Sequence, residues 1–254
     1  CSTGGLYSCI YVDESDYNIF DGGFINKSSK YGVWIVSSGS SSTSNTDHNI
    51  FMNINITNIT NTSVFLDDDG SNSENLNNTF INVSYNNQTV DSRSELIRKW
   101  YHQAYVNDSN GNPLNNANVV FYDNYSSNLR GNLTTNSSGW TNIGEIIEYI
   151  KISGNTIYYN NYSIFAYNST HVGNVSFNVS LEKNKFNTSI TVSEGNFTDP
   201  VQLAYVNTTV YRCGQINTPG VYTMNQSINQ SIFGEDCIVV SSSDATLNCQ
   251  GYNI

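Results

Sequence analysis

Carboxylates are the side chains whose spacing could do chemistry here. Asp67-Asp68-Asp69 sets three acids in succession, and Asp13, Glu14, Asp16, Asp21 and Asp47 fall in neighbouring segments. Paired carboxylates can share a proton in glycoside cleavage, and carboxylate oxygens can coordinate Ca²⁺. The competing reading is plainer, because acids at chain corners are ordinary solvated turns. His48, His102 and His171 stand far apart with no nucleophile motif around them, and no phosphate-binding or dinucleotide fingerprint is present. The chain therefore reads as a non-enzyme without a bound cofactor, and a weak Ca²⁺ site at the acidic run is the remaining metal option.

The second chemistry is covalent modification of asparagine. Acceptor sequons begin at Asn26, Asn55, Asn58, Asn61, Asn77, Asn82, Asn87, Asn107, Asn124, Asn132, Asn136, Asn161, Asn168, Asn174, Asn178, Asn187, Asn196, Asn207, Asn225 and Asn229, which is 20. That is about twice what random placement of the same Asn, Ser and Thr would produce. Period-two alternation in Asn174-Val-Ser-Phe-Asn178-Val-Ser sends Asn174, Ser176, Asn178 and Ser180 outward and Val175, Phe177, Val179 and Leu181 inward, so sugars there clear the core. The run Asn55, Asn58, Asn61 is spaced by three, and one flat strand cannot present all three on one face.

Composition narrows the class. The 254 residues carry a net charge of −11 with 12% charged residues, which disfavours a nucleic-acid backbone or an anionic membrane surface as partner. No apolar run reaches the roughly 18 residues of a membrane span. Without an initiator Met, the sequence reads as a mature chain or a segment.

The elements that position these residues are legible as a repeat. Cys237-Ile-Val-Val-Ser-Ser-Ser-Asp244-Ala-Thr-Leu247-Asn-Cys-Gln-Gly251-Tyr252 aligns without a gap on Cys9-Ile-Tyr-Val-Asp-Glu-Ser-Asp16-Tyr-Asn-Ile19-Phe-Asp-Gly-Gly23-Phe24. Looser copies run from Val33 to Ile54 and from Val64 to Phe80. A period of roughly 20 to 30 residues, each with two short strands, predicts a solenoid. Ile10, Val12, Ile19, Val33, Ile35, Ile50, Val64, Leu66 and Leu76 are the predicted inward ladders. From Glu95 the repeat stops. A long strand over Leu96 to Val106 and alternating strands at 117–122, 140–152, 156–166, 172–181 and 186–192 predict a β-sandwich of immunoglobulin size.

Glu95-Leu-Ile-Arg-Lys-Trp-Tyr, Val106-Asn-Asp-Ser-Asn-Gly-Asn-Pro-Leu-Asn-Asn-Ala-Asn-Val119 and Thr135-Asn-Ser-Ser-Gly-Trp-Thr resemble the immunoglobulin-like, carboxypeptidase-regulatory-like domains of large archaeal and bacterial surface proteins. Cys213-Gly-Gln-Ile-Asn-Thr-Pro-Gly220-Val-Tyr-Thr and the segments after it resemble the opening of right-handed parallel β-helix domains in the same proteins. The resemblance implies an all-β chain: coils at 1–94, a sandwich at 95–192, a connecting segment at 193–212, and a helix opening with its first coil at 213–254. That last coil would continue into residue 1 of the next unit, so the chain reads as one period of a repeating array. A covalent tandem array, a head-to-tail polymer and a single chain whose own ends meet all remain compatible with this order.

Cys1, Cys9, Cys213, Cys237 and Cys249 suit an oxidising exterior. Cys213 with Cys237 is the preferred bridge, because both flank the opening that the resemblance implies. Cys9 with Cys237, and Cys249 with Cys1 or Cys9, are alternatives. The function expected is that of a structural, heavily N-glycosylated subunit of an extracellular filament, sheath or surface layer, with copies of itself as partners. The alternative is a cell-surface adhesin or a module that binds or processes surface glycans, with Tyr158, Tyr159 and Tyr162 as aromatic candidates.

Overall fold

The computed structural model describes residues 8–38, 45–69, 73–123, 125, 129–195, 209–210, 214–216, 220–228, 237–240 and 245–253, and among them it is all-β with no helix. In chain order the strands are β1 (Ser8–Asp13), β2 (Ile19–Asn26), β3 (Tyr31–Val36), β4 (Ile50–Thr57), β5 (Thr62–Asp67), β6 (Asn75–Ile81), β7 (Gln88–Val90), β8 (Ser94–Asp108), β9 (Asn118–Asp123), β10 (Leu129–Thr134), β11 (Gly144–Ile152), β12 (Asn155–Tyr158), β13 (Asn161–Tyr167), β14 (His171–Asn178), β15 (Lys185–Glu194), β16 (Thr209–Val210), β17 (Gly214–Ile216), β18 (Gly220–Met224), β19 (Ile238–Val240) and β20 (Ala245–Asn248). They form two compact units. One comprises Cys1–Gln103, Ile143–Asn160 and Asn178–Asn187; the other comprises Ala104–Asn142, Asn161–Phe177 and Thr188–Ile254.

In the first unit, alternate strands go to alternate sheets. β1, β3, β5 and β7 pair in parallel in one sheet, while β2, β4, β6 and β8 pair in parallel in another. Parallel stacking puts like residues one above another, so each inward position becomes a column. Val12, Ile35 and Leu66 form one such column, and Ile10, Val33 and Val64 another. Phe20, Phe51 and Phe80 form a third, with ring centroids 4.6 and 4.8 Å apart. Val33, Ile35, Phe51, Val64, Leu66 and Phe80 are wholly buried.

The second-sheet column differs from the sequence expectation. Ile19 is 65% exposed, Ile50 and Leu76 are half-buried, and Phe20, Phe51 and Phe80 point inward instead. Adjacent apolar residues in a strand face opposite sides, and the bulkier aromatic of each pair fills the core. Gly22, Asn53 and Asn82 then occupy one rung position, and all three have positive φ (73°, 57° and 51°). That bend needs glycine or asparagine, the residues that tolerate a left-handed backbone.

Asparagine also ties the rungs together inside the stack. Asn18 donates through its backbone N–H and its Nδ2 to Asn49 Oδ1 (3.0 and 2.9 Å), and Asn49 does the same to Asn78 Oδ1 (3.1 Å for both). Asn49 and Asn78 are fully buried. An amide is both donor and acceptor, so identical side chains on successive rungs satisfy each other where the chain leaves the sheet.

At the β8 end the parallel order stops. β11 pairs antiparallel with β8 and forms a hairpin with β12. Arg98 sits beneath this switch, with its Nε 3.2 Å from Glu148 Oε2 and side chains only 11% and 8% exposed. Its Nη1 donates to Tyr149 Oη (3.2 Å), its Nη2 donates to Val83 O (3.2 Å), and its guanidinium lies 4.3 Å from the Tyr85 ring centre. Trp100 Nε1 donates to Glu148 Oε2 at 2.6 Å, and Tyr149 Oη donates to Gln88 Oε1 at 2.7 Å.

In the second unit β9 lies between β10 and β13, antiparallel to both, and β14 pairs with β15. β10 was missed by the sequence reading, and the predicted strand at 156–166 is two strands, β12 and β13. Leu181, expected inward, is 82% exposed because β14 ends at Asn178 and the chain turns there. Gly139 has φ +78°, and a Cβ there would lie 2.7 Å from Val106 O, so only glycine fits. Residues 209–253 of this unit add two small parallel sheets, β16-β18-β20 and β17-β19, around Val210, Ile216, Tyr222, Met224 and Ile228.

Two predictions concern the closed end. Arg98→Met leaves Glu148 buried without its counter-charge and is expected to destabilise the fold by about 3 kcal/mol. Lys99→Met breaks the exposed Lys99–Glu145 pair (3.1 Å) and is expected to cost less than about 1 kcal/mol; urea unfolding of both variants checks the contrast. Burial, then the nearby Lys185 charge, pulls His102 from its ordinary 6.5 down to about 4. Below pH 6.5 the unfolded chain takes up a proton that the folded chain refuses, so stability falls as pH drops from 6.5 towards 4, by up to about 3 kcal/mol from this residue. His102→Gln is expected to flatten that part of the stability profile against pH.

Candidate functional site

The acids are held by local structure. Asp13 accepts from Ser38 N–H and Oγ–H, Asp16 Oδ1 from Asp47 N–H (2.6 Å), Asp47 Oδ1 from Leu76 N–H (2.5 Å), and Asp21 Oδ1 from Asn53 Nδ2 (2.7 Å). Each carboxylate satisfies a donor on the next rung, which is the work of a turn cap. Burial, followed by the neighbouring Asp16 charge, raises the Asp47 carboxyl above its ordinary value despite the hydrogen bond from Leu76.

Of the Asp67-Asp68-Asp69 run, only the first two gather, and they gather with Asp91. One oxygen from each of Asp67, Asp68 and Asp91 lies within 4.8 Å of the others. Asp69 instead donates its backbone N–H to Asp67 Oδ1 (2.9 Å). Asp67 Oδ2 accepts from Trp34 Nε1 (3.2 Å), and Asp68 Oδ2 accepts from Ser92 Oγ (2.8 Å). Burial and then the Asp67 and Asp68 charges push Asp91 upward. Among the described residues this is the group whose donors suit an oxygen-ligated divalent cation. Sequence reasoning missed Asp91, though a signal existed: an apolar residue followed by Asp closes β1 (Val12-Asp13) and β5 (Leu66-Asp67), and Asp91 directly follows the last residue of β7, Val90.

The sequon asparagines differ from the buried ladder asparagines in exposure, although several, such as Asn58, Asn82 and Asn87, also hydrogen-bond between rungs. Asn55, Asn58, Asn61, Asn77, Asn87, Asn132, Asn136, Asn161, Asn174, Asn187 and Asn225 are exposed, and Asn26, Asn82, Asn107, Asn168 and Asn178 are half-buried. Asn124, Asn196, Asn207 and Asn229 lie outside the described residues. The wholly buried asparagines, Asn49, Asn75 and Asn78, are not followed by a sequon. Positive φ at Asn58, Asn77 and Asn82 turns the chain at those points, so the three-residue spacing of Asn55, Asn58 and Asn61 still exposes all three.

Both parallel stacks end in strands with a neighbour on one side. Among the described residues, β1 pairs with β3 and β2 with β4, leaving their other edges unpaired; β19 pairs with β17 and β20 with β18, again on one side. Apolar residues are exposed at these edges: Tyr11 (51%) and Ile19 (65%) at one, Val239 (39%) and Val240 (53%) at the other. A backbone edge bearing apolar side chains is a template for a further strand. The two edge pairs are also the segments that the repeat places in equivalent positions.

Cys249 is a free thiol, whereas Cys9 and Cys237 are disulfide-bonded. Cys1 and Cys213 lie outside the described residues, so the pairing of Cys213 with Cys237 is not defined by them. Tyr158 is exposed, but Tyr159 and Tyr162 are buried, so the three do not form one aromatic strip. No family model and no curated protein matches this chain.

Proposed function

We propose that this chain is a structural, N-glycosylated unit of an extracellular filament, sheath or surface layer, continued head to tail through the ends of a parallel β-helix. In this reading the first unit's two-sheet stack is a short right-handed β-helix, β19 and β20 belong to the first coil of the next one, and an immunoglobulin-like sandwich spaces successive helices. The single observation that carries the reading is the pair of edges, β1/β2 and β19/β20, that have no further strand among the described residues and whose sequences are copies of one coil. The joint is the same whether units are covalently in tandem or separate subunits.

Two further observations support it. Every described sequon asparagine keeps at least part of its side chain in solvent, as a coat of glycans requires. Among the described residues the carboxylates cap turns or gather in a group of three that accepts from backbone N–H, indole N–H and a serine hydroxyl, which suits structure better than catalysis. A bridge from Cys213 to Cys237 would fasten the opening of the second helix to its first coil, adding about 3 kcal/mol through loop entropy.

Secreted single-unit protein is expected to be heavier than its 28.2 kDa polypeptide by a glycan mass that peptide-N-glycosidase removes. At high concentration it is expected to form unbranched fibres in negative-stain electron micrographs. Val240→Lys, at a side chain already exposed, is expected to leave the unfolding midpoint unchanged and abolish the fibres. Isolated particles from the parent protein, or fibres undiminished in the variant, would remove the basis of the reading.

A further inference from the structure

The ungapped repeat alignment puts Leu247 over Ile19, and the geometry of the two stacks forbids that match. Leu247 packs against the core around Tyr222, its partner in β18, and so points inward. Ile19 points outward; the inward residue of β2 is Phe20, stacked on Phe51. Because side chains alternate, a one-residue error in register would place an inward residue on an outward one along the whole strand. In the first strand of the coil there is no such conflict: Val240 shares a face with buried Ile216, and Val12 is inward as well.

We infer that two copies of this chain join with β19 in parallel beside β1, Ile238 on Ile10 and Val240 on Val12, and with β20 beside β2 shifted one residue from the repeat alignment, so that Leu247 stacks on Phe20. This deepens the head-to-tail reading and rests on it. The shift is absorbed in the turn, which is one residue shorter between Val240 and Leu247 than between Val12 and Phe20.

The register makes three inward columns continuous through the joint. Tyr222 and Leu247 run on to Phe20 and Phe51; Ile216 and Val240 run on to Val12 and Ile35; Ile238 runs on to Ile10 and Val33. It also places Ala245 beside Asn18. Each rung of the buried amide ladder gives a backbone N–H to the Asn Oδ1 of the rung after it, from Asn18 to Asn49 and from Asn49 to Asn78. Ala245 N–H is the donor that fits the Asn18 Oδ1 at the ladder's start.

The acceptor positions are compatible with these faces meeting. The sequence holds 20 sequons, and none begins among the residues that this register pairs, 10–12, 18–20, 238–240 and 245–247; Asn26, at the far end of β2, lies beyond the paired stretch. Sugar within that stretch would hold the coils apart.

Variants with one introduced cysteine, each in a Cys249→Ser background that removes the free thiol, test the register when mixed in pairs and oxidised, with the Cys249→Ser protein alone as the blank. Parallel neighbours about 4.8 Å apart are within disulfide reach. Ile19→Cys mixed with Thr246→Cys, both at exposed positions, is expected to give a covalent dimer on a non-reducing gel at least tenfold faster than Ile19→Cys mixed with Leu247→Cys. Tyr11→Cys mixed with Val239→Cys is expected to link in parallel and reports the head-to-tail contact whichever register holds. Faster linkage through Leu247→Cys, equal rates for the two mixtures, or linkage of the Tyr11 and Val239 pair alone overturns the register and leaves the head-to-tail reading standing. No dimer from any mixture overturns both.

Discussion

The constraint on which the rest of this structure depends is that an open edge of a parallel sheet has to be paired, shortened or covered. Backbone N–H and C=O groups along an open edge are exposed to any chain that can pair with them. The first unit meets this constraint at its β8 end by changing the rule of the stack. The 15-residue β8 pairs in parallel with β6 on one side and antiparallel with β11 on the other. The sister sheet finishes in β7, which is only three residues long and therefore presents little edge.

That switch has an electrostatic cost that the structure offsets locally. Burying Arg98 and Glu148 removes two charges from water, and a buried ion pair is stabilising only when its remaining donors and acceptors are filled. Here Tyr149 and Val83 accept from the two Nη atoms and Trp100 donates to Glu148 Oε2, while Gln88 holds Tyr149 in place; Arg98 Nε meets Glu148 as a charge contact without a hydrogen bond. Burial raises the Tyr85 hydroxyl well above its ordinary value, so the ring below Arg98 stays neutral. The network joins β6–β7 loop residues to β8 and β11. It fixes where the parallel order ends, which a purely apolar interface would specify less sharply.

Much of the stack was legible in the sequence because its period is imposed by geometry. Columns of like residues one rung apart require like residues one period apart, and Val12, Ile35 and Leu66 show it directly. What was not legible follows from the same geometry. Ile19-Phe20 and Ile50-Phe51 are adjacent apolar pairs, and apolarity alone does not say which member faces in; the left-handed bend at Gly22 and Asn53 decides it. Asp91 escaped because its partners Asp67 and Asp68 belong to the preceding rung, where proximity comes from stacking and not from spacing along the chain. The sequons gave acceptor positions but not exposure, and the buried Asn49, Asn75 and Asn78 show that asparagine also serves the stack where no sequon follows.

Strand direction limits what an open end can join. If two β1/β2 edges met through a two-fold axis, their strands would run antiparallel, and the inward columns and the amide ladder, which depend on parallel stacking, would not continue across the contact. A β19/β20 edge beside a β1/β2 edge keeps every strand parallel and every column unbroken. Such a contact uses different surfaces on its two sides, so a joined pair still carries one free edge of each kind, one on each copy. Unless rotation between copies closes a ring, that asymmetry makes growth linear and gives the assembly a direction. The polarity would come from the parallel sheet itself.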